Sequence, residues 1–449
     1  MPAFSAFLLL AASIDGEAAF RHASALAALG PHPWGSPRAR VAAEYVASQL
    51  REAGLSEVRL QDFAVGGVRG SNVIATLRAP GPEFVLIGAH HDAAPGAPGA
   101  YDDGGGVGVL IETARVLSRG AARPRTLVFA SWDGEESETV GPQQAAGSQA
   151  WIRSLGAGIQ DLTAGFVIEM CGWREGSPVL HPIPYPDPLR PGGYVVTPEW
   201  LMRAALAGSR QVGAPLGLGD PWLSWLYQPA VRTFRARLYG DDLSLLQAGA
   251  PALFASDSSF TAFYPWYHQA TDTKDKLDAD ALARMARGVL GVVDALARAP
   301  RGPARQPDWF AASGVVIGSS GLLALGALSL GPALAAALRT GGFGLGLRLL
   351  QAGLFGTLLY RHPVPALWVF LLPNLAIPFA RGLLPRALAL APGLALLVLG
   401  AAAWRRGMLS GLWLAAWELA VGGLALLLLF ARAPAARVPA RSVRGRRGR

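Results

Sequence analysis

A single cysteine, Cys171, in a chain of 449 residues has no partner for an intramolecular disulfide, so packing and polar contacts alone hold the fold. It follows a predicted strand and reads as a small buried apolar residue. Charge is scarce as well, at 16% of residues. The scarcity is concentrated: across 310–430 Leu, Ala, Gly, Val and Phe dominate. This accounts for a hydrophobic share of 51% and a positive mean hydropathy. No Lys or Arg precedes the first apolar run, about 4–12, which is too short to span a bilayer. That run reads either as the remnant of a signal or anchor, or as a first packing segment. The apolar region shows no clear internal repeat or polar pathway, which speaks against a transport role.

What acid there is falls mostly before position 300, and the basic excess, net +9, collects at the far end. Arg432, Arg437, Arg441, Arg444, Arg446, Arg447 and Arg449 crowd the tail. After an apolar segment, such a flank marks the cytoplasmic side of a membrane. No nucleic-acid partner is expected.

Along the first 300 residues, short apolar runs alternate with helical stretches. Ser36-Pro37 opens a helix with an N-cap and a first-turn proline, and Gly54 ends it. Strands are predicted at 83–87, 127–132, 165–170 and 251–255, and helices at 107–117 and 278–297. This alternation predicts an α/β domain over 14–298 with a mixed, largely parallel sheet flanked by helices. Residues 173–240, rich in Pro, Trp and Gly, read as an extended loop region with some helix. A Pro/Arg linker follows at 299–309. About five apolar stretches, 310–338, 342–359, 363–380, 385–404 and 409–431, then predict an all-α transmembrane region, with a basic tail at 432–449. Glu418 is the one acid inside a span.

Five dispersed residues have the chemistry of a binuclear metal site: His90, Asp102, Glu136, Glu169 and His268. They sit in the phrases GAHHDAAPG, GAYDDGGG, FASWDGEE, VIEMCG and YHQATDT. Two divalent cations need neutral imidazoles, single-oxygen carboxylates and one carboxylate able to bridge both ions. On a strand end His90 and Asp92 point the same way, so Asp92 can orient the His90 ring, while His91 faces the opposite side. Asp102 is the candidate bridge, in a glycine run that lets backbone approach an ion. Of the paired acids, Glu136 is assigned to metal and Glu135 to proton transfer. Tyr267 is placed to donate to an oxyanion, or to pack against the sheet edge. His90, Glu136 and Glu169 each fall at or just after a predicted strand end, where open α/β sheets bind ligands.

In this order the phrases resemble the co-catalytic di-zinc exopeptidases, among them aminopeptidase S, aminopeptidase Y and glutamate carboxypeptidase II. The resemblance covers about 14–298. The family's His, one residue, then Asp is met by His90 and Asp92, and its bridging aspartate by Asp102. Its paired glutamates are met by Glu135 as base and Glu136 as ligand. Its histidine after tyrosine is met by His268, with Asp272-Thr273 following. The resemblance implies two zinc ions, a supporting role for Asp272 beside the ligands, a non-proline cis peptide after Asp102, and cleavage of N-terminal peptide bonds. The chain departs from the family at Glu169, where aspartate is usual, and in a longer stretch between Glu136 and Gly147-Ser148.

The expectation is a membrane-anchored zinc aminopeptidase acting on peptides, with an extracytoplasmic catalytic domain and an oligomeric state left open. Glutaminyl-peptide cyclisation and a non-catalytic, receptor-like role stand as alternatives.

Overall fold

Side chains alternate along the strands and so divide between two cores, one on each face of the sheet. Val85 and Ile87 join one core, while their neighbours Phe84 and Leu86 join the other. The computed structural model describes residues 11–136, 145–183, 185–186, 194–219, 240–258, 263–304, 310–312 and 315–317. Within them an eight-stranded sheet forms from β1 (Glu57–Val65), β2 (Val68–Leu77), β3 (Phe84–His90), β4 (Thr126–Trp132), β5 (Leu162–Ile168), β6 (Val179–His181), β7 (Gly217–Leu218) and β8 (Ala252–Ser256). The spatial order is β1-β2-β4-β3-β5-β8-β6-β7. Strands β4, β3, β5 and β8 run parallel at the centre. The β1–β2 hairpin and β6 join antiparallel on either side, so the sheet is mixed, as the sequence predicts.

The helices are α1 (Gly16–Ala27), α2 (Pro37–Glu52), α3 (Gly106–Ser118), α4 (Ala146–Leu155), α5 (Glu199–Gln211), α6 (Asp241–Gln247) and α7 (Ala279–Arg298). Local sequence starts three of them. Asp15 accepts from Ala18 N–H, Ser36 from Ala39 N–H and Asp278 from Ala281 N–H. Each such cap stabilises its helix by about 1 kcal/mol. Helices α1, α2, α3, α5 and α7 bury their apolar sides in one core, while Trp151 of α4 and Leu245 and Leu246 of α6 fill the other.

One part of the sequence reading needs correction. The hairpin β1–β2 has no counterpart in it; Gly66 and Gly67, both at positive φ (58° and 85°), make its turn. Within 173–240 the helix expected there is α5, 13 residues long. It lies so close to α7 that a Cβ on Gly208 would come within 2.3 Å of Gly291 O.

Phe310–Ala312 and Val315–Ile317, where the first apolar span was expected to begin, are extended and pair antiparallel. The β-branched run Val315-Val316-Ile317 suits that conformation. The rest of the five expected spans, Glu418, the basic tail and most of the 4–12 run lie outside the described residues. Among the described residues no helix is long and apolar enough to cross a membrane.

Candidate metal centre

The parallel strands deliver the acids and one imidazole to a single edge. His90 ends β3 in register with Trp132, the last residue of β4, and the turn Asp133-Gly134 leads from there to Glu135 and Glu136. Glu169 follows the end of β5. Asp102 lies in the irregular segment Ala100–Gly105 ahead of α3, and the Asp102–Asp103 peptide is cis. The glycines there meet a steric demand, since a Cβ on Gly105 would lie 1.8 Å from Cys171 O.

His90, Asp102 and Glu136 each offer a ligand atom, and these atoms lie within 4.8 Å of one another. His90 Nε2 faces Asp102 Oδ1 at 3.4 Å, and His268 Nε2 faces Asp102 Oδ2 at 3.4 Å. The same His268 nitrogen is 2.8 Å from Glu136 Oε1. One aspartate thus presents an oxygen to each histidine. Glu169 is buried at the same strand edge, with its Oε1 lacking a hydrogen-bond partner. Asp102 Oδ2 also makes no hydrogen bond of good geometry. A buried acceptor left in this state costs about 1–3 kcal/mol. A divalent cation relieves that cost, and the imidazole and carboxylate donors fit zinc.

The charges point the same way. Burial opposes a charge on His90, yet Asp102 and Asp92 outweigh it and raise the ring well above its ordinary value. Burial likewise opposes His268, and Asp102 with Glu136 pushes it up to about 10. Asp102 is held far below the usual carboxylate range because His268 and His90 overcome its burial. Glu135 is raised well above normal by burial, and the charges of Glu136 and Asp241 add to the shift. Burial and then Glu135 raise Glu169. Protons retained by these groups are ones that cation binding displaces.

A second ring of contacts fixes the ligands. His90 Nδ1 is 3.1 Å from Asp92 O and 3.5 Å from Asp92 Oδ1. The Asp92 carboxylate accepts the main-chain N–H of Glu135 (3.1 Å) and of Glu136 (3.0 Å), so its main hydrogen bonds go to the paired glutamates rather than to the ring. Asp272 accepts from Tyr101 N–H (3.0 Å) and Asp102 N–H (3.3 Å). His91 turns away, with Nδ1 2.9 Å from Ser131 Oγ, and burial lowers its pKa to about 3. The Tyr267 ring stacks on the His268 imidazole, with centroids 3.7 Å apart.

The sequence reading missed several residues. Asp103 accepts the N–H of His90 (3.2 Å), Gly106 (2.9 Å) and Met170 (3.0 Å), tying three parts of the site together. Its place beside Asp102 in the glycine run was the available signal. Asp241 is fully buried, and neither of its oxygens has a hydrogen bond of good geometry. Burial lifts it to about 7 against the Ser148 hydroxyl and His90. An acid pair, Asp241-Asp242, ahead of an apolar turn was its only cue. Tyr101 had only its place before Asp102, and Asp257 carried none.

This ligand order extends over one long stretch of the chain. Residues 72–293 match peptidase family M28. The M28 stretch holds all five candidate ligands. The chain is 25% identical over 275 residues to leucine aminopeptidase 1 of Ajellomyces capsulatus (strain H88), covering 57% of this chain and 63% of that protein. The chain thus spans less than two thirds of that relative. The fold is similar to that of BSAP, a zinc aminopeptidase from Bacillus subtilis, with a TM-score of 0.50 and 15% identity over 62% of this chain and 94% of that one. It is equally similar to Porphyromonas gingivalis glutaminyl cyclase, with a TM-score of 0.50 and 20% identity over 63% of this chain and 98% of that one. At such identities the likeness concerns the fold. The longer stretch expected after Glu136 falls largely at 137–144, outside the described residues.

Proposed function

We propose that the protein is a zinc-dependent aminopeptidase that releases N-terminal residues from peptides, in which Asp102 and its neighbours would hold two ions. The observation that carries this reading is the convergence of His90, Asp102 and Glu136 within 4.8 Å, with His268 2.8 Å from Glu136. The division of Asp102, with Oδ1 towards His90 and Oδ2 towards His268, supports the count of two. His90, Glu136, Glu169 and His268 are the other residues that would hold the ions beside Asp102.

Zinc held by these residues would supply Lewis acidity for hydrolysis of a peptide bond. Glu135, whose pKa is raised by burial and neighbouring acids, is the residue assigned to take a proton from the attacking water and to return it to the departing amine. Asp92 fixes Glu135 through its main-chain N–H, so the base keeps its place relative to Glu136. The Tyr267 hydroxyl is the group assigned to donate to the developing oxyanion.

The apolar stretch 310–431 and the basic tail support membrane anchoring, with the tail on the cytoplasmic side and the catalytic domain facing outward. Protease accessibility of the catalytic domain in intact cells tests that orientation.

The test of function combines metal analysis of the purified protein with a panel of aminoacyl chromogenic substrates. Two equivalents of zinc and chelator-sensitive release of N-terminal residues are expected. A protein that binds no zinc ends the proposal. Ammonia released from an N-terminal glutaminyl peptide, without release of the residue, would assign the site to cyclisation instead.

A further inference from the structure

Asp257 stands directly after β8, fully enclosed, and no part of the proposed chemistry uses it. Its carboxylate is nevertheless saturated with hydrogen bonds from two separate pieces of the metal centre. Oδ1 accepts the Tyr101 hydroxyl at 2.6 Å. Oδ2 accepts Gly172 N–H at 2.5 Å and Trp173 N–H at 3.0 Å. Its own N–H donates to Met170 O at 3.1 Å, the residue after Glu169.

Tyr101 precedes the candidate bridging ligand. Its N–H and that of Asp102 both go to Asp272, on the loop that bears His268. Its ring packs on Tyr264 with centroids 4.0 Å apart, and Tyr264 donates its hydroxyl to Asp272 at 2.8 Å. Through Tyr101, two buried acids therefore grip the backbone that carries Asp102. Asp272 refers it to the His268 loop, and Asp257 refers it to the segment leaving Glu169.

We infer that Asp257 is a positioning residue for the metal centre, setting the separation of Asp102 and Glu169 through Tyr101 on one side and Gly172-Trp173 on the other. The inference rests on reading the site as a metal centre. A plain packing role would make Asp257 matter for stability alone. A positioning role makes cation affinity depend on it in a protein that remains folded. The wild-type contacts are directional, and one ångström of drift in a shared ligand weakens both of its bonds. Outer contacts of this kind change metal affinity about 10- to 100-fold.

The experiment titrates the full-length, metal-stripped protein with Zn2+ against a chelator of known affinity. Co2+ titration, followed by visible absorption, reports ligand geometry. Tyr101→Phe deletes one hydroxyl and keeps the ring stack; Asp257→Asn keeps the volume and one acceptor oxygen. Both are expected to weaken Zn2+ binding about 10- to 100-fold and to shift the Co2+ band. The control is Glu112→Gln, a fully buried acid in α3 that accepts Asp15 N–H at 2.6 Å and pairs with Arg115. It is expected to lower melting temperature without altering Zn2+ affinity. Wild-type affinity in Tyr101→Phe overturns the inference, and so does an equal loss of affinity in the Glu112 control. If Asp257→Asn does not fold, Tyr101→Phe decides alone. A wild-type protein that binds no Zn2+ refutes the metal reading itself, a result distinct from variants that bind as well as wild type.

Discussion

Asp92 Oδ2 accepts the main-chain N–H of Glu136 at 3.0 Å, across 44 residues of sequence. The same carboxylate holds Glu135 N–H, and its residue touches the His90 ring through both its main-chain and side-chain oxygens. One buried acid therefore fixes Glu136, its neighbour Glu135 and the His90 ring. Asp92→Ala should weaken Zn2+ binding about 10- to 100-fold. Chelator competition measures the change, and unchanged affinity would show that Asp92 only fills space.

Glu135 carries the proton and does not touch the cation in the proposed scheme. Glu135→Gln is therefore expected to lower turnover by about 10²- to 10⁴-fold with zinc content unchanged. Steady-state kinetics alongside metal analysis checks both halves. Full activity in a zinc-loaded Gln variant would remove Glu135 from the mechanism.

Gly105 has no room for a side chain, since its Cβ would sit 1.8 Å from Cys171 O. Gly105→Ala should destabilise the domain by about 3 kcal/mol through forced backbone movement. Denaturant unfolding reads this directly. The displaced Cys171 segment follows Glu169, so zinc affinity should fall in the surviving folded fraction.

The metal-free protein should lose stability as pH rises from about 5 to 9. Burial lifts Asp242, which accepts from the Tyr185 hydroxyl at 3.1 Å, and Asp257 from an ordinary 3.8 to about 7. An acid with a raised folded pKa holds its proton more tightly when folded, so its contribution fades between about 4 and 7. His268, ordinarily 6.5 and pushed up to about 10, contributes fully below 6.5 and loses that contribution as pH passes 10. Both effects have the same sign. Scanning calorimetry in chelator should show a falling melting temperature, with a shallower fall between pH 4 and 7 in Asp242→Asn. A melting temperature that rises over this range contradicts the assignment.

The cluster of candidate ligands was legible because each of them carries its own local phrase. His90 sits two before Asp92, Asp102 opens a glycine run, and Glu135-Glu136 follows an apolar strand. The central strands were legible for a related reason: buried on both faces, they read as continuous apolar runs. The hairpin β1–β2 was not, because β1 is half exposed and its Arg59, Gln61 and Asp62 break the apolar pattern. Helix α5 hid among prolines and tryptophans on either side of it. The Tyr101–Asp257 pair left no trace because its hydrogen bond spans 156 positions: Tyr101 sits in the phrase around Asp102, but Asp257 lies in none. Directional pairing over such distances is decided by strand order, which residue spacing does not report.

His268 sits at φ 57°, in the left-handed region that most side chains avoid. Few residues are comfortable there, and asparagine and glycine are the chief ones. A descendant of this chain that gave up its cation but kept the loop would therefore be expected to carry asparagine or glycine at this position. Such a replacement would mark loss of the proposed metal centre in related sequences even where every acid persists.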